Sequence, residues 1–395
     1  MVIETASVLA GPMAGRLLAD WGADVIHVEH ITRGDIVRSR VAGGGGQIDS
    51  EIDYIAENYN RNKRGMTLDL AQEDGREIMY KMLSKADVYL SNFRLHELEK
   101  FKLKYDMLSQ INPRLICASL TGYGKKGSDR DLPGYESTAY FARSGMLHVL
   151  QVPESRPTVN PSGLGDNIAG LSLAYGIMAA LFMREKTGEG QEVDVSLFNT
   201  GIFAISLDIA GALATGQDRQ PLKREDYGNA LTNLYRTKDN RWLRLSMNQP
   251  DPYWSRFCHV IERKDLENDP RFKSFIPRIQ NHIELFNIVE KVFLTKTLED
   301  WKNRLNKAGL PWAPLQNLPE VIADPQARAN DFFDSYDHPV YGPLEIVENP
   351  IKLSKSPKRE KISAPQFNQH TEEILLEFGY TWSDIEKFKN NKIIA

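Results

Sequence analysis

The chain has 395 residues, 41% of them hydrophobic and 26% charged, which is the balance of an ordinary soluble globular protein. This length exceeds what one small core needs and predicts two or three domains. Acidic residues number 53 against 49 basic ones, so the net charge of -4 argues against binding to nucleic acid or anionic membranes. The 2 cysteines lie far apart, which excludes a disulfide scaffold and predicts a cytoplasmic, reducing location.

Neither the N-terminal segment nor the longest apolar run carries a targeting or membrane-spanning signal. The first residues show no basic region followed by an apolar stretch, so we expect no signal peptide. The run 168–183 is interrupted by Gly170, Ser172 and Gly176 and is shorter than the roughly 20 residues that a bilayer requires. It therefore predicts a buried helix and no membrane partner.

The first 200 residues alternate short β-rich runs with helical patterns. Val2 and Ile3 read as the end of a first strand. The further predicted strands are 25–29, 66–70, 87–91, 114–120 and 192–196, and the predicted helices are 13–21, 72–83 and 96–109. Strands joined by helical crossovers predict an α/β fold with a mostly parallel, helix-covered sheet.

The later part of the chain has a different character. A long polar connection, 30–64, contains four consecutive glycines at 43–46 and predicts an irregular excursion at one sheet edge. Beyond residue 220, a hairpin at 234–247 and helices at 283–293 and 298–305 are predicted. The predicted organisation is a large domain beginning at 1–200, a linker at 201–224, a small α+β domain at 225–320, and a return to the large domain at 321–395.

A glycine-rich pattern at 122–127, Gly-Tyr-Gly-Lys-Lys-Gly, follows a predicted strand as in dinucleotide-binding sites. In those sites a helix begins at the glycines and binds the pyrophosphate at its N-terminus. The turn-rich stretch 128–134 follows here instead, so we do not expect a nicotinamide site. The sequence also contains no P-loop pattern, which argues against an ATP-driven ligase.

Two histidine-containing clusters lack the spacing of a metal site. His27 and His30 flank Glu29 at a predicted strand end, and the Cys-His pair at 258–259 precedes Glu262. Neither cluster has a third ligand at an informative distance, so we expect solvated strand and helix ends and no bound metal. No Gly-x-Ser-x-Gly elbow occurs either, and a serine hydrolase has no support.

Asp166 follows two glycines and immediately precedes the long apolar run. It therefore occupies the position of a helix N-cap, and one interpretation is that it only caps this helix. The other interpretation is catalytic, and it rests on the same position at a helix N-terminus. A helix N-terminus favours an ionised carboxylate, and glycine neighbours let a bulky substrate approach the backbone, so Asp166 is also a candidate nucleophile.

Many ordered segments along nearly the whole chain match one known family. They are 9–12, 18–29, 62–70, 86–88, 92–93, 112–116, 121–124, 165–166, 186–197, 308–311, 324–327 and 370–375. On these segments the chain resembles the class III CoA-transferases, which include formyl-CoA, crotonobetainyl-CoA and aryl- or alkyl-lactate CoA-transferases. The resemblance implies a CoA-transferase with coenzyme A as a substrate and no permanently bound cofactor.

The resemblance also implies a mechanism. The aspartate before the apolar helix is the family's nucleophile, and Asp166 stands at that place. Its carboxylate attacks the donor thioester to give a mixed anhydride, and the released CoA thiolate then forms an aspartyl-CoA thioester. An incoming acid reverses these steps. The free energy of the thioester is retained in the covalent intermediates, so the exchange needs no ATP. This agrees with the absence of a P-loop pattern.

The resemblance assigns further side chains to the binding of CoA and substrate. They are Val8, Leu9, Ala10, Leu68, Asn92, Phe93, Arg94, Lys100, Tyr135 and Glu136, the last two facing the thioester. Two positions depart from the family: His30 replaces a common phosphate-binding arginine, and Ala71 stands where one relative has lysine. Arg33, Arg61 or Arg64 is then expected to supply the missing positive charge.

Three alternatives to an intermolecular CoA-transferase remain open. The related α-methylacyl-CoA racemases have Gly-His-Asp where this chain has Gly134, Tyr135 and Glu136, and a tyrosine with the usual pKa of about 10 is a poor acid/base substitute. An intramolecular transferase acting on a dicarboxylic acyl-CoA would use the same aspartate. A CoA-binding regulator without activity is disfavoured by the retained Asp166.

The acyl group is expected to be a 2-hydroxy or unsaturated monocarboxylic acid with an apolar or aromatic side chain. The stretch 131–145 looks most like the enzymes for phenyllactate and 2-hydroxyisocaproate. The side chains of Tyr140, Phe141, Met146 and Leu147 would suit such an acyl chain, and ordinary core packing is the alternative. A second glycine-rich lid, as in the oxalate-type relatives, does not occur after residue 200.

The family fold is a large Rossmann-like CoA-binding domain and a small domain joined by long linkers. Two chains thread through one another as interlocked rings in this family. The linkers expected near 200–225 and 315–345 fit that design. The resemblance therefore implies an obligate homodimer.

Overall fold

A computed structural model describes residues 1–39, 51–356 and 360–395. The described chain divides into two compact units. Unit 1 comprises 1–150, 158–219 and 331–395, and unit 2 comprises 151–157 and 220–330. The glycine run at 43–46, predicted to form an irregular excursion, lies outside the described residues.

Unit 1 is built on a six-stranded, wholly parallel sheet. Its strands are β1 (Val2–Glu4), β2 (Val25–Glu29), β3 (Arg64–Thr67), β4 (Val88–Ser91), β5 (Ile116–Thr121) and β6 (Glu192–Ser196). Their order in the sheet is β3-β2-β1-β4-β5-β6. The predicted α/β fold with a parallel sheet is thus confirmed, and β2 and β6 have the predicted bounds.

The strand order places a crevice next to β1. The chain runs outward from β1 to β3 and then returns to β4 on the other side of β1. At such a point the connections that leave the carboxyl ends of the two central strands diverge, and ligands of open α/β sheets bind in the crevice between them. The segments after β1 and after β4 meet here, because the Asn92 side chain accepts from the Ser7 amide at 3.0 Å and donates to its carbonyl at 2.7 Å.

Helices cover both faces of this sheet. Those of the first 219 residues are α1 (Ala10–Asp20), α2 (Tyr54–Asn60), α3 (Glu73–Leu83), α4 (Leu95–Lys100), α5 (Tyr105–Ile111), α6 (Met146–Val149), α7 (Leu164–Thr187), α8 (Leu197–Ala204) and α9 (Ser206–Thr215), with a π-helix at Glu136–Ala142. One buried cluster joins α1 and α7 to the sheet. A second joins α3 and the C-terminal residues to it.

Three details differ from the sequence predictions. The single helix predicted at 96–109 is two helices, α4 and α5, because Lys102 takes a left-handed φ of 57° that breaks the helix. Residues 201–215, predicted as part of a linker, lie in α8 and α9 apart from Ile205, and the alanine and leucine content of α9 favours helix. The predicted buried helix at 168–183 lies in α7, which is buried on one face while Tyr175 and Phe182 are exposed.

By length and composition, α7 could cross a bilayer, and the bent pair of α8 and α9 passes the same test together; this covers the described residues only. The core helix of a globular protein passes that test as well.

Unit 2 is an α+β unit with its own core. Its antiparallel sheet contains β7 (Leu234–Arg236), β8 (Trp242–Leu245) and β9 (Trp312–Pro314), and its helices are α10 (Asp251–Val260), α11 (Phe275–Gln280), α12 (His282–Phe293), α13 (Leu298–Lys307), α14 (Leu318–Ala323) and α15 (Pro325–Ala329). The core is aromatic: Tyr235 stacks on Phe286 and Phe293 with ring centroids 5.5 and 5.1 Å apart. The predicted domain at 225–320 is shorter than this unit, which continues to residue 330.

The chain returns to unit 1 at residue 331. This segment contains the antiparallel pair β10 (Phe333–His338) and β11 (Gly342–Val347), followed by α16 (Thr371–Glu377) and α17 (Trp382–Asn390). Glu57 of α2 anchors it, accepting from the Tyr336 hydroxyl and from the Ala364 amide at 3.1 Å. The C-terminal residues pack on the far face of the sheet with Leu375 and Phe388 buried.

A fully buried ion pair lies beneath α1. The Lys63 ammonium is 2.8 Å from the Glu4 carboxylate at the end of β1 and also donates to the carbonyl of Pro12 and to Asn60, both at 2.9 Å. Both side chains are 0% exposed. Removing one partner from such a pair leaves the other charge buried without compensation.

We therefore expect Lys63→Met to destabilise unit 1 by about 3–5 kcal/mol. Urea unfolding followed by far-UV circular dichroism measures this as a lower transition midpoint. The double variant Lys63→Met/Glu4→Gln removes both charges and should recover part of the loss. A midpoint for Lys63→Met equal to that of the unmodified chain would contradict this description of the pair.

Candidate active site

The candidate nucleophile lies at the start of α7. The helix begins at Leu164, and Gly163 precedes it with a left-handed φ of 79°. Asp166 therefore lies in the first turn of α7 and is not its N-cap, contrary to the sequence prediction. The left-handed conformation of Gly163 allows the helix to begin at Leu164, whereas an N-cap at Asp166 would place the first helical residue after Asp166. Asp166 is buried, with 7% of its surface exposed.

The Glu136 carboxylate supplies the cap that Asp166 was expected to provide. It accepts from the amides of Gly163 at 2.6 Å, Gly165 at 2.9 Å and Asp166 at 3.4 Å. These amides belong to the start of a helix, which has no internal acceptors for them. A buried negative charge at this end is also favoured by the helix dipole. Glu136 thus fixes the backbone that presents Asp166.

Two tyrosines pack against the same loop. The Tyr59 hydroxyl of α2 donates to Asn167 at 3.1 Å. Burial, followed by the charges of Asp166 and Glu136, raises the pKa of Tyr59, so the phenol stays neutral. The Tyr140 ring lies beneath Gly165, where an added Cβ would approach it within 2.7 Å. Gly165 is therefore needed for the loop to sit close to this ring.

The environment of Asp166 favours its protonated form. Burial, followed by the nearby charge of Glu136, raises the pKa of Asp166 from 3.8 to about 7. The sequence predicts that the helix N-terminus keeps this carboxylate ionised, but with this pKa it is only partly ionised at neutral pH, because desolvation and a like charge outweigh the dipole. Such a shift in a cleft is typical of functional carboxylates.

Asp166 opens into a cavity of about 270 Å³. Seven other residues predicted to bind CoA or substrate line it: Val8, Leu9, Ala10, Asn92, Phe93, Arg94 and Tyr135. Apolar side chains that complete its wall are Leu120, Leu132, Pro133 and Leu197. The structure thus brings most of the predicted residues to the nucleophile candidate. Glu136 does not line the cavity, because its oxygens are bonded to the loop beneath.

A larger cavity of about 950 Å³ adjoins the first. Ser7, Phe93 and Glu97 line both cavities. The predicted residues Leu68 and Lys100 line the larger one, together with His30, Arg33 and Ala71. Two joined cavities, one of them large and bordered by basic groups, suit an elongated ligand with a charged end.

Of the three arginines proposed to replace the family's phosphate ligand, only Arg33 lines the larger cavity. Arg61 is 0% exposed and bonds to Asp20 and to the Val347 carbonyl. Arg64 pairs with Asp24 and Glu377. The expectation that Arg61 or Arg64 meets the ligand is therefore wrong, because both are committed to ion pairs within unit 1.

The predicted acyl-binding role of Tyr140 and Phe141 is also wrong. Each is 1% exposed and belongs to the core cluster of unit 1. Met146 and Leu147 pack against that cluster from outside. None of the four lines either cavity. Their aromatic and apolar character reflects core packing, which sequence alone does not distinguish from a binding wall.

Sequence reasoning missed Glu97 and Asp35. Glu97 lies where the two cavities meet, and its carboxylate accepts from the Arg94 amide at 2.9 Å. Asp35 accepts from the Val8 amide at 3.1 Å. The Asn92-Phe93-Arg94 motif could have drawn attention to Glu97, whereas no sequence pattern marks Asp35. In the described part of the chain, no cluster of three His, Cys, Asp or Glu residues could hold a metal.

Comparisons with known proteins identify the family of this chain. The profile of CoA-transferase family III matches residues 1–371, so the chain belongs to this family and is an enzyme that transfers coenzyme A. It is 37% identical to a (R)-2-hydroxy-4-methylpentanoate CoA-transferase of Clostridioides difficile, over 100% of this chain and 98% of that protein.

Two further matches cover nearly full lengths. A cinnamoyl-CoA:phenyllactate CoA-transferase of Clostridium sporogenes is 34% identical over 100% of this chain and 96% of its own. The crystal structure of a CAIB/BAIF family protein from Brucella suis superposes with a TM-score of 0.82 at 29% identity, covering 95% of this chain and 97% of the other. The resemblance identified from sequence motifs is thus confirmed at the level of the family.

The elevated pKa of Asp166 predicts a pH dependence. If the ionised carboxylate attacks the substrate, kcat/KM should rise with pH and level off above the pKa of about 7. Glu136→Gln removes the neighbouring charge, so the inflection should move to lower pH, and kcat should fall because one acceptor oxygen is lost. Rate measurements between acidic and mildly alkaline pH test this. An inflection unchanged in Glu136→Gln would contradict the coupling.

Proposed function

We propose that this enzyme moves CoA from an acyl-CoA to a free carboxylic acid through covalent intermediates on Asp166. The observation that carries the proposal is the position of Asp166: a buried carboxylate facing a cavity whose other walls match the family's CoA and substrate positions. Glu136 holds the loop rigid, so the carboxylate is oriented before substrate arrives.

The chemistry follows from this placement. The Asp166 carboxylate attacks the carbonyl of the donor thioester. The C–S bond breaks, which releases CoA as a thiolate and leaves a mixed anhydride of Asp166 and the donor acyl group. The thiolate attacks the aspartyl carbonyl, which forms an aspartyl-CoA thioester and releases the donor acid. An acceptor carboxylate attacks that thioester, which forms a second mixed anhydride and releases the CoA thiolate. The thiolate then attacks the acceptor carbonyl of this anhydride, and the bond from that carbonyl to Asp166 breaks. The products are a new acyl-CoA and the regenerated Asp166 carboxylate.

Amides at the start of α1 lie close to the reacting region. The turn Val8–Leu9 precedes α1 and lines the same cavity as Asp166. Leu9 provides no side-chain cap for α1. Backbone donors at a helix N-terminus stabilise developing negative charge on a carbonyl oxygen. We infer that this turn contacts the thioester end of CoA.

The wall of the smaller cavity favours an apolar acyl group. Leu120, Leu132, Pro133 and Leu197 line it beside Tyr135. We propose a 2-hydroxy or unsaturated monocarboxylic acid with an apolar or aromatic side chain as the substrate. The names of the two curated relatives support this class, since they act on a branched 2-hydroxy acid and on cinnamoyl-CoA with phenyllactate.

Replacing Asp166 tests the nucleophile directly. With cinnamoyl-CoA as donor and (R)-2-hydroxy-4-methylpentanoate or phenyllactate as acceptor, Asp166→Ala and Asp166→Asn should each lose at least about 10³-fold in kcat, as expected when a covalent nucleophile is removed. Chromatography of the CoA esters measures transfer. Asp20→Asn is the matched control, because Asp20 is a buried carboxylate at the C-terminal end of α1. An active Asp166→Ala variant would contradict the proposal.

We propose that the larger cavity holds the nucleotide end of CoA, with Leu68 beside the adenosine and Lys100 and Arg33 near the phosphates. Lys100 and Arg33 line that cavity. Phosphate groups are bound by such cations through charge and hydrogen bonds. Coenzyme A then extends past Phe93, which lines both cavities, to the thioester site.

Charge reversal at Arg33 tests this placement. Arg33→Glu should weaken CoA binding by about tenfold or more, since an attractive group becomes repulsive. Isothermal titration calorimetry with CoA measures the affinity, and a steeper loss at low salt is expected. Arg64→Glu is the control, because Arg64 lines neither cavity. Equal affinity for Arg33→Glu and the unmodified enzyme would contradict the assignment.

We also infer an obligate homodimer in a cytoplasmic setting. Two successive helices of unit 1, α8 and α9, expose large apolar side chains, with Phe203 76%, Leu207 86% and Leu213 83% accessible. Exposed apolar area of this kind is typical of a surface covered by another chain. Cys117 and Cys258 are buried free thiols, as suits a reducing compartment.

Sedimentation tests the oligomeric state. The unmodified chain should sediment as a dimer at all accessible concentrations, because a stable dimer would bury these helices. Leu207→Lys/Leu213→Lys places charges on the apolar surface and should yield monomer or aggregate, whereas Lys389→Glu on α17 should leave the dimer intact. A concentration-independent monomer for the unmodified chain would contradict the inference.

A further inference from the structure

The turn after β1 contains a strained residue. Val8 has a φ of 71°, the left-handed region, which is an outlier for a β-branched side chain because its Cβ crowds the backbone. Strained backbone persists only where surrounding contacts enforce it, and such residues concentrate at functional sites. Val8 lines the cavity that contains Asp166. The strain therefore lies in the wall of the proposed active site.

The carboxylate of Asp35 enforces this conformation. The Val8 amide donates to both of its oxygens, at 3.1 and 3.2 Å. Asp35 is 3% exposed, so water does not compete effectively for these bonds. On the other side of the strained residue, the Asn92 amide group holds the backbone of Ser7. The turn is thus fixed from two directions.

Asp35 is itself held in place by buried groups. Its amide donates to Glu29 at 2.8 Å, and its carboxylate also accepts from the Val37 amide at 3.2 Å. The His27 ring lies between two carboxylates, with Nε2 3.7 Å from Asp35 and Nδ1 3.5 Å from Glu4. This row ends at the Lys63–Glu4 pair. Asp35 therefore connects the turn to the buried ion pair of Lys63 and Glu4 beneath α1.

We propose that Asp35 is a positioning residue for the transfer reaction, holding Val8 in the left-handed conformation so that the Ser7–Ala10 turn keeps its place opposite Asp166. Asp35 does not line the smaller cavity, which contains Asp166, although it borders the larger cavity proposed for the nucleotide end of CoA. Its effect on turnover passes through the backbone of the turn. The inference rests on the proposed function, because the turn affects turnover only if transfer occurs in that cavity.

A double-mutant cycle tests the proposal, because glycine adopts the left-handed conformation without a Cβ penalty. Asp35→Ala should lower kcat/KM for cinnamoyl-CoA about 10- to 100-fold, as expected when a reacting group is misplaced. The same substitution made in a Val8→Gly background should cost about tenfold less, since the turn no longer needs to be forced. Asp35→Asn, which retains one acceptor oxygen, should give an intermediate loss.

Asp20→Ala is the matched control. Asp20 is a buried carboxylate of unit 1 that pairs with Arg16 and Arg61. If Val8→Gly relieved any destabilised fold, it would restore this variant as well; we expect it not to. Equal losses for Asp35→Ala in the two backgrounds, or equal restoration of Asp20→Ala, would overturn the proposal.

Amide hydrogen exchange provides a readout independent of turnover. In Asp35→Ala the peptide covering the turn and the start of α1 should exchange faster than in the unmodified chain, with the peptides of α7 unchanged. Exchange that is unaltered in this peptide would overturn the proposal even if activity falls. An unmodified enzyme without transfer activity would instead contradict the proposed function, and the exchange result would still decide the role of Asp35.

Discussion

Two buried carboxylates share the start of one helix. The two oxygens of Glu136 accept hydrogen bonds from amides at the start of α7. Asp166 lies in the first turn of the same helix, buried and facing a cavity. The arrangement is electrostatically unfavourable for Asp166, whose pKa rises to about 7. That state is useful for covalent transfer, because a carboxylate of raised pKa is more nucleophilic when ionised and loses little hydration on attack.

The sheet determines what surrounds this carboxylate. The order of strands turns back between β1 and β4, so the segments after these strands border one crevice. Val8 and Leu9 come from the first segment, and Asn92 and Phe93 come from the second. The loop before α7 closes the same crevice from a distant part of the sequence. The site is therefore assembled within unit 1 from three segments that only the fold brings together.

Sequence reasoning succeeded where local pattern decides the outcome. The strands at 25–29 and 192–196 were predictable because β-branched residues recur between clear helical stretches. The helix start at Gly163 and the break at Lys102 were not, because each depends on a left-handed residue that composition does not reveal. The motif positions found by resemblance mostly line the two cavities.

Tertiary roles were beyond the reach of sequence reasoning. Tyr140 reads equally well as core or as binding wall, and only packing shows that it supports the loop under Gly165. Arg61 and Arg64 are basic residues near the right motif, yet ion pairs within unit 1 occupy both. Asp35 has no motif at all, because its role arises from the conformation of a residue far away in sequence, Val8.

The proposed covalent step on Asp166 can be tested directly. We would incubate the enzyme in heavy water with cinnamoyl-CoA and, in a separate sample, with a 2-methylacyl-CoA, quench both in acid, and analyse peptides and CoA esters by mass spectrometry. The account predicts CoA attached to the peptide containing Asp166, and no adduct in Asp166→Asn. An absence of adduct, together with deuterium uptake at the α-carbon of a 2-methylacyl-CoA, would contradict the transferase mechanism and indicate racemase chemistry.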